Sequence, residues 1–412
     1  MTQRPPPGGA GRPRWRDLGW FVLAAALPLP WVVAHNLEGL GLPPEYTALL
    51  SGLSILGSAF LLSWATELAE RDIPQALALL VLALVSVLPE YAVDLHFAWR
   101  AGQDPSWAPY AVANMTGANR LLIGLGWALV CLIACRRSGT TELAVHPRQR
   151  LEIRFLFLAT LYSFLIPYGG HVSLLDALVL FGLFAAYVVG AMRGESAEAE
   201  LIGPAALIER EFSERGRRLW ALALLVFAAY AIVISAKPFA DGLVHVGRNH
   251  AIDEFLLVQW LAPLASESPE FVIAILFALK RRGSMGLGAL ISSKVNQWTL
   301  LVGAVPIAYA LSSGTLHGLP LDARQTEELI LTSAQSLLAT VLIADLRFGR
   351  RESVLLMLLF LGQAVFPSTE VRWGFTLAYL VITAAVLVSG GAARRHAFTG
   401  LLRARPPGRR PD

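Results

Sequence analysis

Within WLAPLASESPEFVIAILFALK, residues 260–280, two carboxylates and a proline interrupt a run apolar enough to cross a bilayer. Glu267 and Glu270 are one helical turn apart, and Pro269 lies between them. A charged side chain at the centre of a membrane helix costs at least ~2.5 kcal/mol, so the pair implies a cavity, a counter-charge or a bound cation. A proline inside a helix removes a backbone donor and frees the carbonyl one turn earlier. Freed carbonyls beside carboxylates can ligate a cation.

The same arrangement occurs earlier in the chain. LALVSVLPEYAVDLHFAWR, residues 82–100, again places a proline directly before a glutamate, Pro89-Glu90, inside an apolar segment. Each copy is followed by a second hydrophobic segment with small and amide residues near its start. In the first this is Ala113-Asn114-Met115-Thr116-Gly117-Ala118-Asn119, and in the second Gly288-Ala289-Leu290-Ile291-Ser292-Ser293-Lys294. Proline-interrupted hydrophobic segments at corresponding places in two halves point to a transporter's substrate site at the bilayer midplane.

With 55% hydrophobic and 16% charged residues, the chain is too apolar for a soluble protein of 412 residues. Runs long enough to cross a hydrocarbon core of ~30 Å fall at 18–35, 46–68, 73–99, 108–135, 151–168, 172–192, 218–237, 252–279, 286–311, 326–346, 352–366 and 371–390. The expected fold is an all-α polytopic membrane protein of about twelve transmembrane helices. Residues 1–17 form a disordered basic tail, 18–35 an extra span, 46–192 the first repeat, and 193–217 a linker containing a short helix. The second repeat occupies 218–366, a further extra span 371–390, and a basic tail 391–412. Cys131 and Cys135, four apart on one apolar segment, suit helix packing rather than a disulfide framework or a zinc site.

Basic residues set the orientation. Placing the N-terminus in the cytoplasm puts 27 of the 34 Lys and Arg residues in inner segments and only Arg100, Lys237, Arg248, Arg324 and Arg372 in outer ones. Both termini are then cytoplasmic in a bacterial-type inner membrane, and the high pI is a topology signal rather than a nucleic-acid site. Two basic residues remain, Arg120 and Lys294, and both fall inside spans that follow the Pro-Glu segments. The two Pro-Glu units run in opposite directions, as inverted repeats suited to alternating access.

These units resemble the α-repeats of the cation/Ca2+ exchanger superfamily, in its sodium/calcium exchanger membrane-region family. The signature there is approximately Gly-Thr-Ser-x-Pro-Glu followed by Gly-Asn-x-x-Gly-Ser-Asn-x-x-Asn. Here the first copy reads Val85-Ser86-Val87-Leu88-Pro89-Glu90 with Ala113 to Leu122, and the second Ala265-Ser266-Glu267-Ser268-Pro269-Glu270 with Gly288 to Gln297. The resemblance covers ten helices, about 46 to 366, as two inverted five-helix repeats with one extra helix at each end. It implies a secondary active cation antiporter whose metal-binding carboxylates are Glu90 and Glu270. Oxygens from Ser86, Ser266, Ser293, Gln297, Asn114 and Asn119 would complete a set suited to a hard cation such as Ca2+ or Na+.

The departures from that signature bear on coupling. Val87, Ala118 and Leu122 stand where the family carries oxygen ligands, while the second repeat gains Glu267 and Lys294. Lys294 is expected to pair with Glu267 across the site, because unpaired charges in hydrocarbon each cost several kcal/mol. A lysine buried in this way could also release a proton, so proton coupling is an alternative to sodium coupling. The same pair could instead be a structural lock. Glu90 and Glu270 have a structural alternative as caps of broken helices, and loss of ligands in the first repeat leaves a transport-inactive scaffold open. Arg120 is expected to hold a carboxylate such as Asp94, or to reach a rim. His96 could join a proton path. Trp20, Trp31, Trp107, Tyr110 and Trp373 read as interface anchors.

No HExxH, Gly-x-Ser-x-Gly, P-loop or GxGxxG motif is present. The chain is therefore expected not to be an enzyme and to need no cofactor beyond the transported cation. Its expected partners are inorganic cations and the lipid bilayer, with no nucleic acid.

Overall fold

In the computed structural model, the described residues are 14–37, 41–69, 72, 87–192, 201, 203–366, 368–389 and 398–401. Helices α1 (Arg14–Ala26) and α2 (Leu29–Asn36) form the first span, broken where Pro28 meets Leu27. Repeat one contains α3 (Pro44–Ala69), α4 (Leu88–Gln103), α5 (Ala108–Leu121), α6 (Ala128–Ser138), α7 (Arg150–Ser163) and α8 (Leu174–Met192). A linker helix α9 (Pro204–Glu211) leads into repeat two: α10 (Glu214–His250), α11 (Glu254–Leu279), α12 (Gly283–Asn296), α13 (Val302–Ser313), α14 (Ala323–Ile343) and α15 (Arg350–Val365). The last span is α16 (Thr369–Ser389).

Among the described residues nine helices are long and apolar enough to cross a membrane, and each coincides with an expected span. The other three expected spans depart for identifiable reasons. The 73–99 span is described only from residue 87, the α12–α13 helix carries Lys294, and α15 has only 16 residues. The expected tail at 1–17 lies outside the described residues up to 13, and α1 already begins at Arg14. The linker at 193–200 and the C-terminal tail at 390–397 and 402–412 are likewise outside them. Part of that tail packs on the bundle: the ring of Phe398 sits edge-on to Phe157, 5.0 Å between centroids.

Local chemistry sets the helix ends. Asp253 accepts the amide of Phe255 at 2.9 Å to start α11, and Asp322 accepts that of Gln325 at 2.8 Å in a capping box that starts α14. Gly139 and Gly314 close α6 and α13 in the left-handed conformation. Helix α10 runs to 37 residues, well beyond the expected 218–237, because Pro238 is accommodated within it. Its continuation buries Phe239, Ala240, Leu243 and Val244 against protein, while Lys237 and Arg248 stay exposed. Leu219, Leu222, Val226, Tyr230 and Val233, spaced three to four apart, remain exposed as a lipid-facing stripe.

The repeats are related as inverted copies. In each, the second segment of the motif passes through a π-helical turn, Leu122–Trp127 in repeat one and Gln297–Leu301 in repeat two. Such turns occur preferentially at functional sites. Two short antiparallel ribbons close the ends. Strand β1 (Glu142–Ala144), between α6 and α7, pairs with β4 (Arg347–Gly349), between α14 and α15. Strand β2 (His171–Val172), between α7 and α8, pairs with β3 (Leu319–Pro320), between α13 and α14. Exchanging the repeats exchanges the ribbons, so each repeat contributes to both faces of the bundle. Helices obey the same rule: α13 packs on α4 as its counterpart α6 packs on α11, and the first helices of the repeats, α3 and α10, share the most extensive interface. Ser235 reaches across that interface to Ser54 at 2.8 Å.

Candidate functional site

The site lies where the two Pro-Glu helices cross the segments that follow them. Pro89 and Glu90 fall in the first turn of α4, and the Glu90 side chain is buried with its Oε2 unpartnered. In α11, Pro263 and Pro269 lie inside the helix. Neither can donate to the carbonyl four residues earlier, so the Gln259 and Ala265 carbonyls lose their helical partners. Gly117 of α5 packs against the Gln259 carbonyl so closely that any Cβ would clash with it. The freed carbonyl thus marks a close approach of the two repeats.

Glu267 is fully buried and Glu270 half-buried, and each keeps an Oε2 without a partner. Gln297 donates to Glu267 at 3.2 Å and lies 3.5 Å from the Ser293 hydroxyl, while Ser293 in turn faces Glu270. Ser266 is buried and turns back to the Ala262 carbonyl at 3.2 Å. Glu90, Glu267 and Glu270 lie within electrostatic range of one another. Among the described residues, no group of three or more His, Cys, Asp or Glu side chains converges on one metal position. A cation shared by Glu90 and Glu270 would therefore draw on hydroxyl, amide and carbonyl oxygens around it. Ser86 lies outside the described residues.

Two further carboxylates are not placed symmetrically. Asp94 follows Glu90 by one turn on a helix that runs toward the β2–β3 ribbon. Glu267 precedes Glu270 by one turn on a helix that runs away from it. Both therefore fall on the same side of the Glu90–Glu270 pair. Asn114 donates to Asp94 at 2.7 Å, which binds the amide expected as a cation ligand to a neighbouring carboxylate.

Lys294 differs from expectation. Its ammonium hydrogen-bonds to Asn119, at 2.6 Å to Oδ1 and 3.3 Å to the backbone carbonyl, and lies 4.3 Å over the Trp298 ring. It does not form an ion pair with Glu267, which it feels only at longer range. Lys294 and Asn119 hold matching positions in the two motifs, so the ammonium joins equivalent residues where the repeats meet. A strongly hydrated ammonium leaves water only if other oxygens and a π face replace its shell. Asn119 and Trp298 supply both.

Arg120 likewise pairs elsewhere than with Asp94. It forms a buried ion pair with Glu328 of α14 and lies 5.2 Å over the Trp260 ring. Glu328 also accepts from Gln259 at 3.0 Å, and the neighbouring Glu327 takes Arg372 of α16 at 2.8 Å. Gln335 donates to the Arg120 carbonyl, and Gln363 donates to Gln335 at 2.9 Å. The sequence signal for this network is the pair of consecutive glutamates at 327–328 and the glutamines inside apolar runs. His96 contacts Asp241 of α10 at 3.1 Å rather than joining Asp94. Trp31, Trp107 and Tyr110 pack inside the protein instead of anchoring at the rim, while Trp20 and Trp373 are exposed. The thiols of Cys131 and Cys135 are free and buried within helix packing.

Comparison with known proteins agrees with this geometry. The sodium/calcium exchanger protein family matches residues 46–193 and 220–369, the two repeats in turn. An uncharacterized membrane protein of Methanocaldococcus jannaschii is 23% identical over 68% of this chain and 82% of its own. Among solved structures, the H+/Ca2+ exchanger CAX is 44% identical, with a TM-score of 0.88 over 95% of this chain and 99% of its own. The sodium–calcium exchanger NCX_Mj, 18% identical with a TM-score of 0.51 over 86% of this chain and 99% of its own, shares the fold. The inverted Pro-Glu units, their π turns and these matches together make this chain a member of the sodium/calcium exchanger family, a multi-pass secondary cation antiporter.

Proposed function

We propose that this antiporter exchanges Ca2+ for protons across a cell membrane with both termini in the cytoplasm, using Glu90 and Glu270 as the carboxylates that hold each ion in turn. The observation that carries the reading is the Lys294 ammonium seated on Asn119. It is a tethered monovalent cation among the ligands, in a position where a mobile sodium ion would need the same oxygens. Charge supports the same conclusion. Glu90, Glu267, Glu270 and Asp94 are buried or half-buried, and the one ammonium nearby, Lys294, lies within electrostatic range of Glu267, whereas Arg120 is already neutralised by Glu328. Uncompensated buried charges cost several kcal/mol each. A divalent cation or protons can supply the missing positive charge, and exchanging one for the other keeps the site neutral as it reorients. The 44% identity to the H+/Ca2+ exchanger CAX points the same way.

In this cycle the only bonds made and broken are the O–H bonds of the carboxyl groups, and the cation leaves chemically unchanged, so the proposed activity is transport rather than catalysis. The family's sodium-coupled exchange is the second reading, favoured by the family description. The test is Ca2+ uptake into proteoliposomes under an imposed pH gradient and, separately, under an outward sodium gradient. Uptake with protons alone is expected. Uptake with sodium alone would replace this reading with the second, and no flux under either gradient would favour a scaffold.

A further inference from the structure

Helix α16 begins at Thr369, where the match to the family ends, yet it carries polar groups aimed into the bundle. Leu377, Val381 and Val388 remain exposed on it, whereas Arg372 and Tyr379 are buried. Arg372 takes Glu327 at 2.8 Å and lies 3.9 Å from Glu328. The Tyr379 hydroxyl is 3.5 Å from the amide nitrogen of Gln363 in α15. Gln363 donates to Gln335 of α14 at 2.9 Å, and Gln335 donates to the Arg120 carbonyl of α5 at 3.0 Å. Two polar lines therefore run from α16 to one residue. Glu328 takes the Arg120 guanidinium, and Gln335 takes its carbonyl.

Repeat two shows why that carbonyl draws on another helix. The residue matching Arg120 is Val295, whose carbonyl accepts the hydroxyl of Thr299, one turn on, at 2.6 Å. The residue matching Thr299 in repeat one is Gly124, which has no hydroxyl. A Cβ at Gly124 would collide with the Phe360 side chain of α15, so no hydroxyl-bearing residue fits there. Both carbonyls stand beside a π turn, where the spacing of the backbone ladder changes. Repeat two supplies the side-chain donor from within its own helix, and repeat one supplies it from α14.

The neighbour of Arg120 gives this contact a function. Asn119 holds the Lys294 ammonium with both its side-chain oxygen and its carbonyl. Lys294 directly follows Ser293 on α12 and stands three residues before Gln297, which donates to Glu267. The seat of Asn119 thus sets where the α12 oxygens stand relative to the central acids.

We propose that Gln335 is a positioning residue for cation binding, and that α16 is the brace that steadies it through Gln363. Buried side-chain networks rigidify the elements they join. Removing a group that orients a metal's ligands commonly costs ten-fold or more in affinity.

The inference rests on Ca2+ as the bound cation but not on proton coupling. Equilibrium binding of radiolabelled Ca2+ and thermal unfolding are measured in detergent for wild type, Gln335→Leu, Gln363→Leu and Ser333→Ala. Ser333 is the control, because its buried hydroxyl lies on α14 but meets Ser163 of α7 at 2.7 Å rather than α5. Gln335→Leu is expected to raise the half-saturating Ca2+ concentration about ten-fold, and Gln363→Leu by a smaller factor. Ser333→Ala should leave it unchanged, even if all three unfold at lower temperature. Lowered unfolding temperatures with unchanged half-saturation in both glutamine variants, or an equal rise in Ser333→Ala, overturn the positioning role. If Gln335→Leu does not fold, Gln363→Leu decides between the same results. Wild type without saturable Ca2+ binding overturns the proposed function, and the positioning role with it.

Discussion

Repeat one and repeat two use nearly the same backbone to bury different charges. Both have a Pro-Glu helix, a small-residue segment and a π turn, and they exchange strands at the two ends of the bundle. Repeat one adds Asp94, satisfied on one oxygen by Asn114, and Arg120, committed to Glu328. Repeat two adds Glu267, on Gln297, and Lys294, which reaches across to Asn119 of repeat one. The difference teaches that inverted symmetry fixes where the central carboxylates meet, while its local violations decide what balances them. Arg120 is tied into the frame, and Lys294 is held by Asn119 and the Trp298 ring.

The strongest test of the shared part is to neutralise each central acid. Glu90→Gln and Glu270→Gln are each expected to reduce Ca2+ flux to background while the protein still elutes as a folded species in detergent. Flux surviving in only one variant would mean that the two halves do not share one ion. Next in size is the contrast between the two buried cations. Arg120→Met leaves Glu328 with Gln259 and, at 3.9 Å, Arg372, and should cost ~3 kcal/mol of stability, recovered when Glu328→Gln is added. Lys294→Met leaves neighbours that protons can neutralise, so it should alter the pH dependence of flux more than unfolding. Equal losses of stability in both would erase the distinction.

Smaller effects test the packing between repeats. Gly117→Ala places a methyl group against the Gln259 carbonyl and should destabilise by ~1–3 kcal/mol. Ser292→Ala, at the matching position of repeat two, should be tolerated in a thermal-unfolding assay. The smallest measurable loss is expected at Asp72, which receives Arg217 at 2.9 Å and Arg218 at 2.9 Å and so links the repeats at the foot of α3 and α10. Burial alone would raise its pKa, but the two arginines outweigh burial and hold it below its ordinary 3.8. The stabilisation is therefore fully present above that ordinary value and is lost as pH falls through the lower folded one. Asp72→Asn should cost about 1 kcal/mol near neutral pH, and its unfolding curve should merge with wild type under strong acid.

Much of this was legible in the residues. Two prolines before glutamates, the alternation of basic loops and the two cations left inside spans led to the inverted repeat and to the central acids. Partner choice was not legible. Hydropathy states that a buried Lys294 or Arg120 must be compensated, but the compensating group lies across the bundle, at Asn119 and Glu328. Neither is near in sequence. The length of α10 was hidden for a related reason: Lys237, Pro238 and Asp241 end the apolar run, whereas the helix continues with Phe239, Ala240, Leu243 and Val244 buried against protein. Arg372 reads as a rim residue until α14 brings Glu327 to it at 2.8 Å.

The central claim is that one set of carboxylates carries either Ca2+ or protons. Its most direct measurement is proton release when Ca2+ is added to the purified protein in weakly buffered detergent, followed by a pH indicator. Wild type should release about two protons per Ca2+ bound, since cation binding displaces protons from shared ligands, and a Glu90→Gln, Glu270→Gln double variant should release none. Saturable Ca2+ binding by wild type with no proton release would contradict the claim.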